Sequence, residues 1–182
     1  MDSIMVELTE QELEWCKTHA REIVEYYGGH GTQGSGAYNH NKISSNLVGV
    51  KSELATTKWI RELFPDAQID ENYKRFTEKW LKGDIKLNNK VIEVKGLRPH
   101  QWDKFKRMIP PKQLKHCVRN KAIVIWTLAT GDTKNNQVKL MGWNYAHEVE
   151  SQGVEVRTIC DNVWLAEDSL MQPMETFISI LN

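Results

Sequence analysis

Two hydrophobic periods alternate along the chain, and each change of period marks an element. Leu13, Cys16, Ala20, Ile23, Val24 and Tyr27 recur at helical spacing, and Gly28-Gly29 ends the predicted helix. Thr9 and Glu12 supply a capping box at its start. Five glycines fall between Gly28 and Gly36 among few apolar side chains, so residues 28–42 read as a mobile loop. Leu47, Val50, Leu54, Ile60 and Phe64 form the stripe of a second helix over residues 46–64, with Glu53 at its edge and Pro65 as its stop.

The middle of the chain changes to a period of two. A strand is expected near residues 67–75, and residues 83–96 read as a hairpin about Asn88-Asn89. Pro110-Pro111 interrupts the helical segment that follows, whose second half lies near residues 112–119. Residues 122–128 are a continuous, β-branched apolar run, the pattern of a buried central strand. Residues 137–143, 154–159 and 163–166 read as strands and 144–150 as a short helix. Leu170, Met174, Phe177, Ile178 and Leu181 line one face of a closing helix over 167–181. This order predicts a mixed α/β layer fold. No internal repeat or interior linker divides the 182 residues, so one domain is expected.

Composition narrows the class. With 40% apolar and 26% charged residues, the chain is neither disordered nor fibrous. It has no apolar run of membrane-spanning length, so no membrane partner is expected. Its acidic start is not a secretory signal. Cys16, Cys117 and Cys160 are widely spaced and form no CxxC pair, which fits a reducing, cytoplasmic location. Trp126, Trp143 and Trp164 fall in expected strands and read as core. Trp102 also reads as packed, although its place in a basic segment leaves base stacking open.

Net charge is zero, but it is unevenly distributed. Residues 1–25 carry −5 and residues 140–182 carry −6, whereas residues 96–121 carry +7. A cationic block of that kind points to a polyanionic partner. The phosphate contacts expected from it and its surroundings are Lys74, Arg75, Arg98, Lys104, Lys106, Arg107, Lys112 and Lys115.

The chemistry lies in the hairpin. A two-residue turn at Asn88-Asn89 makes Leu87 face Lys90, and counting outward puts Asp84 opposite Glu93. Side chains alternate, so Asp84, Glu93 and Lys95 share one face while Ile85, Leu87, Ile92 and Val94 share the other. Facing Cβ atoms lie about 5 Å apart. Two carboxylates that close repel, and a small hard cation, Mg²⁺ or Mn²⁺, would relieve the repulsion. A lysine beside such an ion and a basic flank suit phosphodiester cleavage.

Asp84, the triplet Glu93-Val94-Lys95 and the upstream helical Glu53 resemble the PD-(D/E)XK nuclease superfamily, over roughly residues 43–145. Gly83 stands where the motif has proline. The resemblance implies a restriction-endonuclease-like mixed β-sheet flanked by helices, within a single nuclease domain over 1–182 that adds an N-terminal helix at 1–27 and the glycine-rich loop at 28–42. It implies that Asp84, Glu93 and the Val94 carbonyl ligate Mg²⁺, that Glu53 binds a second metal or its water, and that Lys95 positions the attacking water. Gln113 resembles the helical glutamine of some members, although Cys117 replaces the aromatic residue one turn later. The implied function is a DNA endonuclease of phage, mobile-element or restriction type, and a homodimer is compatible with it. The alternatives are an RNA endonuclease and a non-catalytic nucleic-acid-binding or regulatory protein on the same fold.

Other sites fit less well. His30 and His40-Asn41 lack the second histidine of an HNH site, and His100, His116 and Cys117 have poor zinc spacing. Pro65-Asp66 spells the first letters of the motif, but it follows the stripe ending at Phe64 and reads as a helix stop. Asp84 is therefore the expected motif aspartate.

Overall fold

The computed structural model describes residues 3–28, 42–78, 82–105, 107–156, 162–165 and 168–180. Residues 29–41 of the glycine-rich segment, with His30 and His40, lie outside the described residues, as do Lys106, Cys160 and the side chain of Lys104.

The chain begins with strand β1 (Ile4–Glu7), helix α1 (Glu10–Gly28) and helix α2 (Ile43–Leu63). Strand β2 (Ile69–Glu71) runs into a 3-10 turn, and β3 (Ile85–Leu87) and β4 (Lys90–Leu97) form the hairpin. Then come α3 (Pro99–Phe105), β5 (Arg107–Ile109), α4 (Pro111–Arg119), β6 (Ile123–Leu128) and β7 (Gln137–Tyr145). Helix α5 (Ala146–Gln152), strands β8 (Gly153–Val156) and β9 (Asn162–Leu165), the short helix α6 (Met174–Phe177) and two 3-10 turns, Asp168–Leu170 and Ile178–Ile180, complete the described elements. The fold is mixed α/β, as expected. A six-stranded sheet has the order β1-β7-β6-β4-β3-β2, and β5-β9-β8 form a smaller sheet. Strands β4 and β6 are parallel and every other paired neighbour is antiparallel.

The large sheet is covered on both faces. Ile92 and Val94 of β4 pack with Cys16 and Ala20 of α1 and Leu47, Val48 and Ala55 of α2. Val91 and Leu97 point the other way, among Leu114 and Cys117 of α4, Val149 of α5 and Val163 and Leu165 of the small sheet. β4 is therefore a central strand, and its charged residues lie under cover rather than on an outer face.

Local chemistry explains the boundaries. Thr9 and Glu12 form the reciprocal capping box of α1: Glu12 Oε2 accepts from Thr9 N at 2.6 Å and Thr9 Oγ1 from Glu12 N at 3.2 Å. The expected closing helix is broken because Pro173 cannot continue a helix. Gln172 instead exchanges backbone hydrogen bonds with Trp143, and α6 starts afresh after Pro173. Strands β1 and β5, of four and three residues, carry too little pattern to be predicted.

Candidate functional site

The hairpin has the expected register: Leu87 faces Lys90, Lys86 faces Val91 and Ile85 faces Ile92. Asp84 departs from the ladder. It lies one residue before β3, its N–H donates to the Ile92 carbonyl at 2.9 Å, and its carboxylate accepts from Val94 N at 2.7 Å. The carboxylate is thus turned onto the backbone of the strand that carries Glu93. In a strand, the N–H and C=O of one residue point to the same side. The Val94 carbonyl therefore faces the gap left where β3 ends, beside Asp84.

Gly83 makes that turn. Its φ is +64°, and a Cβ there would lie 2.6 Å from Val91 Cγ1 and 2.7 Å from the Ile92 carbonyl oxygen. Proline, with φ fixed near −65°, cannot take this position. The departure from the motif is a backbone requirement of this chain.

Glu93 is only 4% exposed. Its Oε1 accepts from Lys95 Nζ and from Gln113 Nε2 of α4, each at 2.6 Å. Both donors use the same oxygen, and the Cys117 thiol approaches the same carboxylate. Burial alone would lower the Lys95 pKa, but Glu93 and then Asp84 outweigh it and hold the ammonium above the ordinary lysine range. Burial, followed by repulsion from Glu93, pushes Asp84 up to about 7 against the opposing pull of Lys95. Cys117, one turn after Gln113, keeps its proton because burial and the nearby Glu93 carboxylate push its thiol up to about 12.

Glu53 approaches from α2. Gly96 lets this helix come close: a Cβ there would sit 2.5 Å from Ser52 Oγ and 3.1 Å from Val48 Cγ1. Ser52 Oγ donates to the Val48 carbonyl and accepts from Thr127 of β6 at 2.7 Å, which ties the helix to the sheet. Burial raises Glu53 well above the ordinary glutamate range, and Asp84 and Glu93 raise it further. Glu53, Gly83 and Asp84 line one cleft of about 230 Å³, with Tyr27, Tyr73 and Phe76 on its walls.

The donor set is all hard oxygen, with a repelling carboxylate pair at its centre, and suits a small divalent cation. Among the described residues, no three His, Cys, Asp or Glu side chains group closely enough to enclose one ion. What the site offers is the Asp84–Glu93 pair, the Val94 carbonyl and Glu53 facing them. His100 and His116 do not join Cys117 in a metal group. Asp66 lies exposed in the turn after α2.

The expected phosphate contacts divide. Lys112 and Lys115 are exposed on α4, flanking Gln113. Arg98 follows the end of β4 and donates to Ser44 Oγ at 3.0 Å. Lys74 and Arg75 already pair with Glu71 and Glu78. Arg107 was expected on the surface, and the structure overturns that: it is 0% exposed, pairs with Asp168, donates to the Leu165 carbonyl and lies over Trp102. It joins the small sheet to the chain's end. Trp102 is likewise buried, and its Nε1 donates to Asp168.

One residue escaped the sequence reading. Lys51 is fully buried, and its ammonium donates to the carbonyls of Thr130, Asp132 and Asn135. The signal was present, because Lys51 occupies a stripe position between Leu47 and Leu54, where an unpaired cation is costly.

No helix among the described residues is long and apolar enough to cross a membrane. The chain matches no family model, no curated protein and no solved structure.

Proposed function

We propose that this protein is a metal-dependent nuclease whose centre is Asp84, Glu93 and Lys95, on a restriction-endonuclease-like arrangement of sheet and helices. The observation that carries the reading is the division of labour at Glu93. Lys95 and Gln113 both hold one oxygen of Glu93, which fixes a buried carboxylate whose charge is felt at Asp84.

Asp84, Glu93 and the Val94 carbonyl would hold Mg²⁺ or Mn²⁺, with Glu53 beside them. The ion would supply Lewis-acid stabilisation of charge on a phosphodiester. The remaining work belongs to the chain. Lys95 keeps a full positive charge at the site and can donate to a water or a phosphoryl oxygen. Gln113 orients Glu93. The apolar cover from Val91, Leu114 and Cys117 strengthens each of these interactions by excluding water. Lys112 and Lys115, on the helix that supplies Gln113, would meet the backbone of the nucleic acid. A DNA endonuclease of phage, mobile-element or restriction type, acting as a monomer or homodimer in the cytoplasm, is the form this reading takes.

The test is incubation with supercoiled plasmid, linear duplex, single-stranded DNA and RNA, each with Mg²⁺, Mn²⁺ or EDTA. Cleavage with either metal, lost in EDTA and in Glu93→Gln and Lys95→Ala, is the expected result. Cleavage of RNA alone would move the substrate class. Absence of metal-dependent cleavage on all four would reject the reading.

A further inference from the structure

A second cavity, of about 470 Å³, opens between the start of α2, the segment after β4 and the turn joining β6 to β7. Lys42, Ser44, Arg98, His100, Gly131 and Asp132 line it. Its cations are largely unopposed. Among the described residues, neither Lys42 nor Arg98 pairs with a carboxylate. Among the described residues the only acid in the wall, Asp132, turns its carboxylate onto the backbone N–H groups of Lys134 and Asn135, at 2.8 and 3.1 Å.

The cavity is held rigid from two sides. Arg98 Nη2 donates to Ser44 Oγ at 3.0 Å, and Gly131 packs so closely that a Cβ would lie 2.6 Å from the Ser44 carbonyl oxygen and 3.1 Å from the Arg98 guanidinium. From beneath, the buried Lys51 ammonium ties down Thr130, Asp132 and Asn135. Lys51 forms no ion pair among the described residues, but Asp132 attracts its ammonium, so the positive charge of the wall is that of Arg98 and Lys42. A guanidinium with free donors, an exposed lysine and a histidine around a fixed concave wall are the elements of a phosphate site.

We propose that this cavity is a phosphate-binding subsite that gives the nucleic-acid backbone a second anchor outside the cleavage centre. The inference rests on the nuclease reading for its role, but not for its ligand. Arg98 follows the end of β4, three residues beyond Lys95, and its guanidinium lies on the α2 side of the sheet, whereas Lys95 lies on the α4 side with Glu93 and Gln113. The subsite would hold a backbone phosphate outside the cleavage centre and favour substrates long enough to reach it.

The experiment uses the full chain in EDTA, so no cleavage intrudes. Inorganic phosphate is titrated while the backbone amides of Ser44 and Gly131 are followed by NMR, and affinity for a short labelled DNA duplex is measured in parallel. The expected result is a saturable shift of both amides that is lost in Arg98→Ala and Lys42→Ala, with duplex binding weakened about tenfold or more in each, as expected when one charge-assisted hydrogen bond is removed. Lys42 is exposed, so its variant probes the site without disturbing the Ser44 contact. No amide shift would overturn the proposal. A shift with unchanged duplex affinity would mean an adventitious ion only, and would overturn it equally. A protein that passes both arms yet cleaves nothing with Mg²⁺ or Mn²⁺ would retain the subsite and lose the nuclease reading.

Discussion

Gln113 Nε2 and Glu93 Oε1 lie 2.6 Å apart, joining helix α4 to the central strand at a buried carboxylate. In the proposed nuclease this contact would make Gln113 a positioning residue, because its amide acts on Glu93 rather than on the substrate. Gln113→Ala removes one hydrogen bond to a charged acceptor, worth about 1.5–3 kcal/mol. If that energy is lost from the transition state, cleavage slows by about 10- to 100-fold. The deficit should narrow as Mg²⁺ is raised, because a loosened Glu93 weakens metal binding first. A purely structural role would lower thermal stability and leave the metal dependence unmoved.

Asp84 predicts an unusual dependence of stability on pH in the metal-free protein. Burial and then Glu93 push its pKa up to about 7 in the fold, whereas an unfolded aspartate titrates near ~3.9. Across that window the native state holds a proton that the unfolded chain has released. Stability therefore falls as pH rises from about 4 to about 7. In EDTA, the melting temperature of Asp84→Asn should fall less over this range than that of the native protein, and should be the higher of the two at pH 8. Equal slopes would mean that neither burial nor Glu93 raises Asp84 in the fold.

The parts of this arrangement legible in the sequence were those set by short-range rules. A two-residue turn fixes hairpin register, so the alignment of Ile85 with Ile92 followed from Asn88-Asn89 alone. The apolar run at 122–128 could only be a covered strand, and β6 occupies it. What stayed hidden depends on distant partners. Glu93 looked like part of an outer face because nothing local shows that α4 folds over it. Arg107 looked like one more cation in a basic run, and its partner Asp168 is 61 residues away. Lys51 stood in an apolar stripe, but the carbonyls it holds come from a turn some 80 residues later.

The correction at Arg107 separates two kinds of basic residue in the 96–121 segment. Lys112 and Lys115 are exposed and unpaired among the described residues, so Lys112→Glu with Lys115→Glu should flatten the slope of log affinity against log salt. For duplex DNA the expected change is about 0.9 for each phosphate that is no longer neutralised. Arg107→Met should leave that slope alone. It strands the buried Leu165 carbonyl without its donor, at a cost of about 1–3 kcal/mol, and lowers the melting temperature. A flattened slope in Arg107→Met would return Arg107 to the interface.

Gly83 and Asp84 should behave as a unit that Asp66 cannot replace. Asp66 follows proline, as the motif is spelled, but it stands exposed in the turn after α2. Asp84 follows a glycine whose φ of +64° turns the chain so that the carboxylate meets Val94 N at 2.7 Å. Metal ligation needs oxygens within about 2.1 Å of one ion, so the liganding carboxylates must come nearly into contact. Asp84 titrates under the influence of Glu93, as a carboxylate sharing its site must. Asp66→Asn should therefore keep full cleavage, while Asp84→Asn loses it without loss of fold. Gly83→Ala forces a side chain into the left-handed region, at about 1–2 kcal/mol, and also drives its Cβ against the Ile92 carbonyl. It should lower stability and cleavage together. Gly83→Pro, which restores the literal motif, should be worse still, because proline cannot reach a positive φ. Full activity in Gly83→Pro would show that the motif's usual geometry applies here and that the turn described at Gly83 does not position Asp84.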